Sequence, residues 1–74
     1  MIDTQENTLD ITNLGPNLKK FRLLRNLSRE KFADEIDVSS RIIYDYEEGF
    51  KTPKLETLIK IVFVLQVSLD DILR

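Results

Sequence analysis

Residues Ser28 to Pro53 read SREKFADEIDVSSRIIYDYEEGFKTP. The stretch predicts two short amphipathic helices joined by a tight turn, each with its own serine cap. Ser28 is placed to accept a backbone N–H at the start of the first helix. That helix carries Phe32, Ala33 and Ile36 at i, i+1 and i+4, on one face. The second helix starts at Ser39 or Ser40 and buries Ile43 and Tyr46, three residues apart. Asp37-Val38-Ser39 is too short for anything but a turn, so the two helices must cross steeply. A second helix held in this way presents its outer face and N-terminus to solvent. A helix needs that arrangement to enter a DNA major groove. The pattern is a helix-turn-helix.

The flanking sequence extends it. Gly15-Pro16 punctuates the chain, and proline is favoured in the first turn of a helix. A helix is expected from there to about Asn26, with Leu18, Phe21 and Leu24 inward and its basic residues outward. Gly49 suits the left-handed exit from the second helix of the motif. A fourth helix is expected to begin at Thr52-Pro53, with Leu55, Leu58, Ile61, Val62 and Leu65 at helical spacing. Ser68-Leu69-Asp70-Asp71 has the S-x-x-D form of a capping-box variant, and opens a last short helix holding Ile72 and Leu73. Residues 1–13 form an acidic, aperiodic arm and residues 14–74 the folded domain.

Composition narrows the function. Seventy-four residues make one domain, near the lower size at which a single hydrophobic core sustains folding. The chain has no Cys and no His, which removes disulfides, zinc fingers, thiol nucleophiles and histidine bases together. Carboxylate-only catalysis would need a pocket with converging acids, so no enzyme, cofactor, metal or small-molecule substrate is expected. No apolar run approaches the ~20 residues of a membrane span, and the acidic N-terminus is not a signal peptide. Net charge is −2, but it is unevenly spread. Lys19 to Lys31 holds six bases against Glu30 alone, whereas residues 32–50 hold Arg41 against six acids.

Taken together, Leu27-Ser28, Ala33, Val38-Ser39, Ile43, Tyr46-Glu47, Gly49 and Pro53 resemble the signature of the phage-repressor/Cro-type helix-turn-helix domain. The resemblance continues through Leu55-Glu56-Thr57-Leu58, Lys60-Ile61 and Val67-Ser68-Leu69-Asp70, and so covers nearly the whole chain. It implies an all-α, five-helix, lambda-repressor-like domain with a short N-terminal arm, of bacterial or phage cytoplasmic origin. It also implies a sequence-specific regulator that binds double-stranded DNA as a homodimer on a short palindrome. Under the resemblance, Ser40, Arg41, Tyr44 and Asp45 read base edges. Arg41 would bond guanine O6 and N7, and Asp45 would accept from cytosine N4. Arg29, Ser39, Lys51 and Lys54 would meet phosphates. Arg22 and Glu47 would form a structural salt bridge between the first helix and the end of the recognition helix. Glu48 and Phe50 stand where basic residues are frequent, so each protomer should bind weakly on its own.

Five apolar residues sit at positions that are often polar or small in such domains: Ile42, Phe50, Ile59, Phe63 and Val64. Phe63 lies about 100° around the helix from Val62, so the two cannot both be interior. Either the arm's Ile2, Leu9 or Ile11 covers them, or Phe63, Val64, Ile59 and Phe50 line a dimer interface, the reading favoured here. The competing functional reading is a protein-interaction module on the same scaffold, antirepressor or antitoxin-like, with little DNA binding. The acidic balance, Asp45, Glu48 and Phe50 speak for it.

Overall fold

The computed structural model describes residues 12–74, which form five helices: α1 (Leu14–Leu24), α2 (Arg29–Ile36), α3 (Ser40–Glu48), α4 (Leu55–Leu65) and α5 (Leu69–Leu73). Among the described residues there is no strand, and no helix is long and apolar enough to cross a membrane. The domain is all-α. Residues 1–11 of the arm, with Ile2, Leu9 and Ile11, lie outside the described residues.

Every helix contributes to one core. Leu18 of α1, Phe32 and Ile36 of α2, Ile43 of α3, Ile61 and Leu65 of α4, and Ile72 of α5 are fully buried. Around them α1 packs on α3 and α5, while α2 packs on α3 and α4. Two residues expected inward are not. Leu24 is exposed because the buried stripe of α1 runs through Leu14, Leu18 and Arg22, and Leu24 lies about 200° around from Arg22. Leu55 is exposed because it stands about 120° from the Ile61 direction. The fourth helix starts later than Thr52-Pro53: Lys54 is still extended, and Pro53 is buried just upstream.

Serines open three of the helices. Ser28, Ser39 and Ser68 accept from the backbone N–H of Lys31, Ile42 and Asp71, respectively. At α5 the cap is reciprocal, because Asp71 accepts from the Ser68 N–H at 3.0 Å. These bonds to its ionised form hold the Asp71 carboxyl below the usual aspartate range. The far end of this short helix is tied to the start of α1. Asn17 Nδ2 donates to the carbonyls of Asp71 and Ile72, and Asn13 Nδ2 to that of Arg74. Carbonyls that a helix end leaves unpaired are thereby satisfied.

The first four helices all close with the same paired bonds. Asn26, Asp37, Gly49 and Gln66 take the left-handed conformation. The next residue then reaches back five positions: Leu27 to Arg22, Val38 to Ala33, Phe50 to Asp45 and Val67 to Val62. Only one of these left-handed residues is glycine, so sequence inspection marks only Gly49. In three of the four turns the residue that reaches back is aliphatic and packs against the core, namely Leu27, Val38 and Val67. Phe50 is the exception and remains exposed.

Candidate nucleic-acid interface

The turn at Asp37-Val38-Ser39 delivers α3 with its first residues uncovered. Ser39 Oγ accepts from the Ile42 N–H, which leaves its hydroxyl hydrogen to donate outward beside a helix N-terminus that favours anions. Below the surface, α3 is seated by Ile43, Tyr46 and Glu47. Its backbone also approaches α1 unusually closely. A Cβ on Gly15 would stand 2.5 Å from the carbonyl oxygen of Glu47, so only glycine permits this crossing.

Two buried carboxylates organise the charges around α3. Glu47, with a fully buried side chain, accepts from Arg22 Nε at 2.6 Å and Nη2 at 3.3 Å. Arg22 is itself buried, and its Nη1 donates to the carbonyl of Leu27. Arg29, at the start of α2, adds a third bond to Glu47, from Nε to Oε1 at 3.1 Å. Among the described residues every buried side-chain nitrogen or oxygen has a hydrogen-bond partner. This matters because an unpaired buried charge costs several kcal/mol, on the order of 3.

Asp45 does not lie open on this surface. On an isolated helix it would share the outer face of Arg41, where it was expected to offer a free acceptor to a base. Instead its side chain is only 8% exposed. The segment after α3 turns back toward it, with the N–H groups of Phe50 and Lys51 both donating to the Asp45 main-chain carbonyl. Its carboxylate accepts from Arg41 Nε at 3.1 Å and lies 3.8 Å from Lys51 Nζ. The i,i+4 spacing of Arg41 and Asp45 is legible as a pair in the sequence; the return of Lys51 toward the same carboxylate is not.

The remaining expected contact residues fall around these anchors. Arg41 is exposed, Ser40 and Tyr44 are half-buried, and Lys51 and Lys54 are exposed. The guanidinium carbons of Arg29 and Arg41 each lie 5.4 Å from the centre of the Tyr44 ring, within cation–π range. The acidic balance of residues 32–50 is therefore less adverse than its count. Asp45 and Glu47 face inward and are paired, so Asp34, Glu35, Asp37 and Glu48 are the acids left on the surface.

The apolar residues expected at a dimer face separate into three places. Ile59 and Phe63 are exposed on α4, Phe63 by 82%, and Leu55 joins them at i, i+4, i+8 spacing. Val64 does not belong to this stripe, because it is partly buried against the core, as is Ile42. Phe50 stands apart as well, its ring 6.1 Å from that of Tyr44 and tilted by 55°.

Comparison with known proteins gives consistent results. The family model described as helix-turn-helix matches residues 18–72. An uncharacterised HTH-type transcriptional regulator of Bacillus subtilis, YqaE, is 38% identical over 58 residues, which is 78% of this chain and 50% of that protein. The transcriptional repressor RstR of the cryptic phage CTXphi in Vibrio cholerae is 36% identical over 47 residues, 64% of this chain and 42% of that one. Among solved structures, the clp gene regulator ClgR of Corynebacterium glutamicum superposes with a TM-score of 0.80 at 27% identity, covering 89% of this chain and 70% of that one. The chain thus spans about half the length of these Bacillus and Vibrio relatives.

Proposed function

The chain belongs to the helix-turn-helix family of phage-repressor and Cro type, and on that premise we propose that it is a sequence-specific DNA-binding transcriptional regulator. The observation that carries this reading is the outer side of the α2–α3 unit. There Arg41 and Arg29, each held by a buried carboxylate, stand on the same unit as the serine-capped N-terminus of α3. In this reading α3 lies in the major groove, with Ser40, Arg41 and Tyr44 toward base edges. Arg29, Ser39, Lys51 and Lys54 meet the backbone. A homodimer pairs the exposed Leu55, Ile59 and Phe63 stripes of two copies and places two recognition helices on a palindrome. The half-sites are then about one helical turn, roughly 34 Å, apart.

The test is selection of duplexes from a random pool at low salt, followed by titration of the enriched sequence at rising salt. Each neutralised phosphate contributes a log–log slope of about −0.9, so Arg29, Lys51 and Lys54 set roughly −3 per protomer. Arg41→Ala should lower discrimination between the enriched and a scrambled duplex by about tenfold or more, with the residual preference carried by Ser40 and Tyr44, while leaving helicity intact. A folded sample that enriches no sequence would turn the reading to a protein-interaction module using the α4 stripe, whose contacts would respond little to salt.

A further inference from the structure

Arg29 and Arg41 are held in the same manner. Each donates through Nε to a buried carboxylate at 3.1 Å, Arg29 to Glu47 and Arg41 to Asp45. The bond uses Nε, so the two Nη groups can still donate elsewhere. That pair is the fork an arginine uses end-on against guanine O6 and N7. The Tyr44 ring lies against both guanidiniums and restrains them further. The side chain of Arg41 is 76% exposed, yet one end of its guanidinium is fixed to an acid that is only 8% exposed. The other carboxylate oxygen of Asp45 faces Lys51 Nζ at 3.8 Å. One buried acid therefore links the expected base-reading cation of α3 to the expected phosphate-binding cation of the following loop.

We infer that Asp45 is a positioning residue that confers base specificity without touching DNA, by holding Arg41 with its terminal fork aimed at the major groove. The inference rests on the proposed placement of α3 in that groove. An unrestrained arginine loses its rotamer freedom on docking, and that loss opposes binding; a restrained one has already lost it. Asp45 also explains how a recognition helix tolerates an acid: the charge is turned inward and balanced by Arg41 and Lys51 before DNA arrives. A bare negative charge at this position would repel phosphate on every sequence alike. Charge and positioning therefore have separable signatures. Removing the charge alone strengthens binding to all duplexes equally, whereas losing the position lowers only the preference for the correct one.

The experiment measures affinity for the duplex enriched by the wild-type protein and for a scrambled duplex, at one salt concentration. The variants are Asp45→Asn, Asp45→Glu, Arg41→Ala and the Arg41→Ala/Asp45→Asn double variant. A bidentate guanine contact discriminates strongly, so Asp45→Asn should lower the ratio of the two affinities by about tenfold or more, with scrambled-duplex binding equal or tighter. Asp45→Glu keeps the charge but displaces it by a methylene, and should lower the ratio as well. In the Arg41→Ala background Asp45→Asn should change the ratio by less than about twofold, since its effect passes through Arg41. The partners of Asp45 are solvent-exposed cations, so Asp45→Asn orphans no buried charge; Arg41→Ala leaves the buried Asp45 carboxylate with Lys51 at 3.8 Å, and its helicity and melting temperature are measured beside its affinity. An unchanged ratio in Asp45→Asn or Asp45→Glu would overturn the inference and leave the DNA-binding reading standing. So would an equal loss in the Arg41→Ala background. Failure of the wild-type protein to enrich any duplex would overturn both.

Discussion

Gly15→Ala should destabilise this domain by more than one methyl group suggests. The added Cβ would stand 2.5 Å from the Glu47 carbonyl oxygen and 2.8 Å from that of Tyr46, where ordinary contact begins at 3.4 Å. Both obstacles are main chain, so no side chain can rotate away. Helix α1 must instead withdraw from α3 by about 0.9 Å, in a core where overpacking costs about 1–3 kcal/mol. The same movement stretches the 2.6 Å bond between Arg22 and Glu47. Against this, alanine gains about 1 kcal/mol over glycine in helix propensity. Because both obstacles are main chain, the cost falls at the upper end of the overpacking range, and a net loss of about 2 kcal/mol corresponds to a fall in Tm of about 8–16 °C for a domain of this size. Gly49→Ala is the control. Nothing lies within 4 Å of a Cβ there, so its cost is the left-handed backbone at φ 81° alone, about 1 kcal/mol. Thermal unfolding by circular dichroism decides the matter. Gly15→Ala melting within about 2 °C of wild type, or Gly49→Ala melting lower than Gly15→Ala, would refute the close-packing argument.

Three further outcomes follow from the same geometry. Glu47→Gln leaves Arg22 charged and buried with an amide in place of its carboxylate, and should cost about 3 kcal/mol in urea unfolding; a loss below about 1 kcal/mol would place the pair among surface bridges. Asp37→Gly relieves a left-handed aspartate at φ 62° and should raise stability by about 0.5 kcal/mol, after glycine's greater freedom in the unfolded chain is set against it; a fall in Tm would show that the Asp37 side chain contributes more than its backbone costs. The Asp71 carboxyl is held low by the Ser68 N–H and hydroxyl, so its stabilisation is full above the unfolded aspartate value of about 3.9 and is lost as pH falls through the lower folded value. Asp71→Asn should therefore be less stable than wild type at neutral pH and converge with it in acid; a gap independent of pH would rule out the carboxylate as its source.

How much was legible in the sequence depended on how local the cause was. The caps at Ser28, Ser39 and Ser68 act within four residues, and the apolar positions Phe32, Ala33, Ile36, Ile43 and Ile61 repeat at the helical period. Local chemistry therefore carried the all-α class and the α2–α3 boundaries. Where one helix could be treated alone, periodicity sufficed. It misled at Leu24 and Leu55, which lie off the stripe that the neighbouring helices cover. The left-handed turns at Asn26, Asp37 and Gln66 carried no glycine to mark them.

Among the expected contact residues the division is similar. Arg41, Lys51 and Lys54 are exposed, as a view of outward helix and loop positions requires. Val64 and Phe50 stand apart from the exposed Leu55, Ile59 and Phe63 stripe because one packs against the core and the other lies beside Tyr44, placements that a single helical wheel does not give. The sequence by itself determined the helices, their caps and the tight turn that exposes α3, because each arises from bonds between near neighbours. Only the tertiary structure decided that Gly15 is a contact point, that Phe50 stands beside Tyr44, and that Asp45 is an inward anchor. Those facts depend on which backbone crosses α1 at α3 and which loop returns over the end of α3, and a helical wheel contains neither.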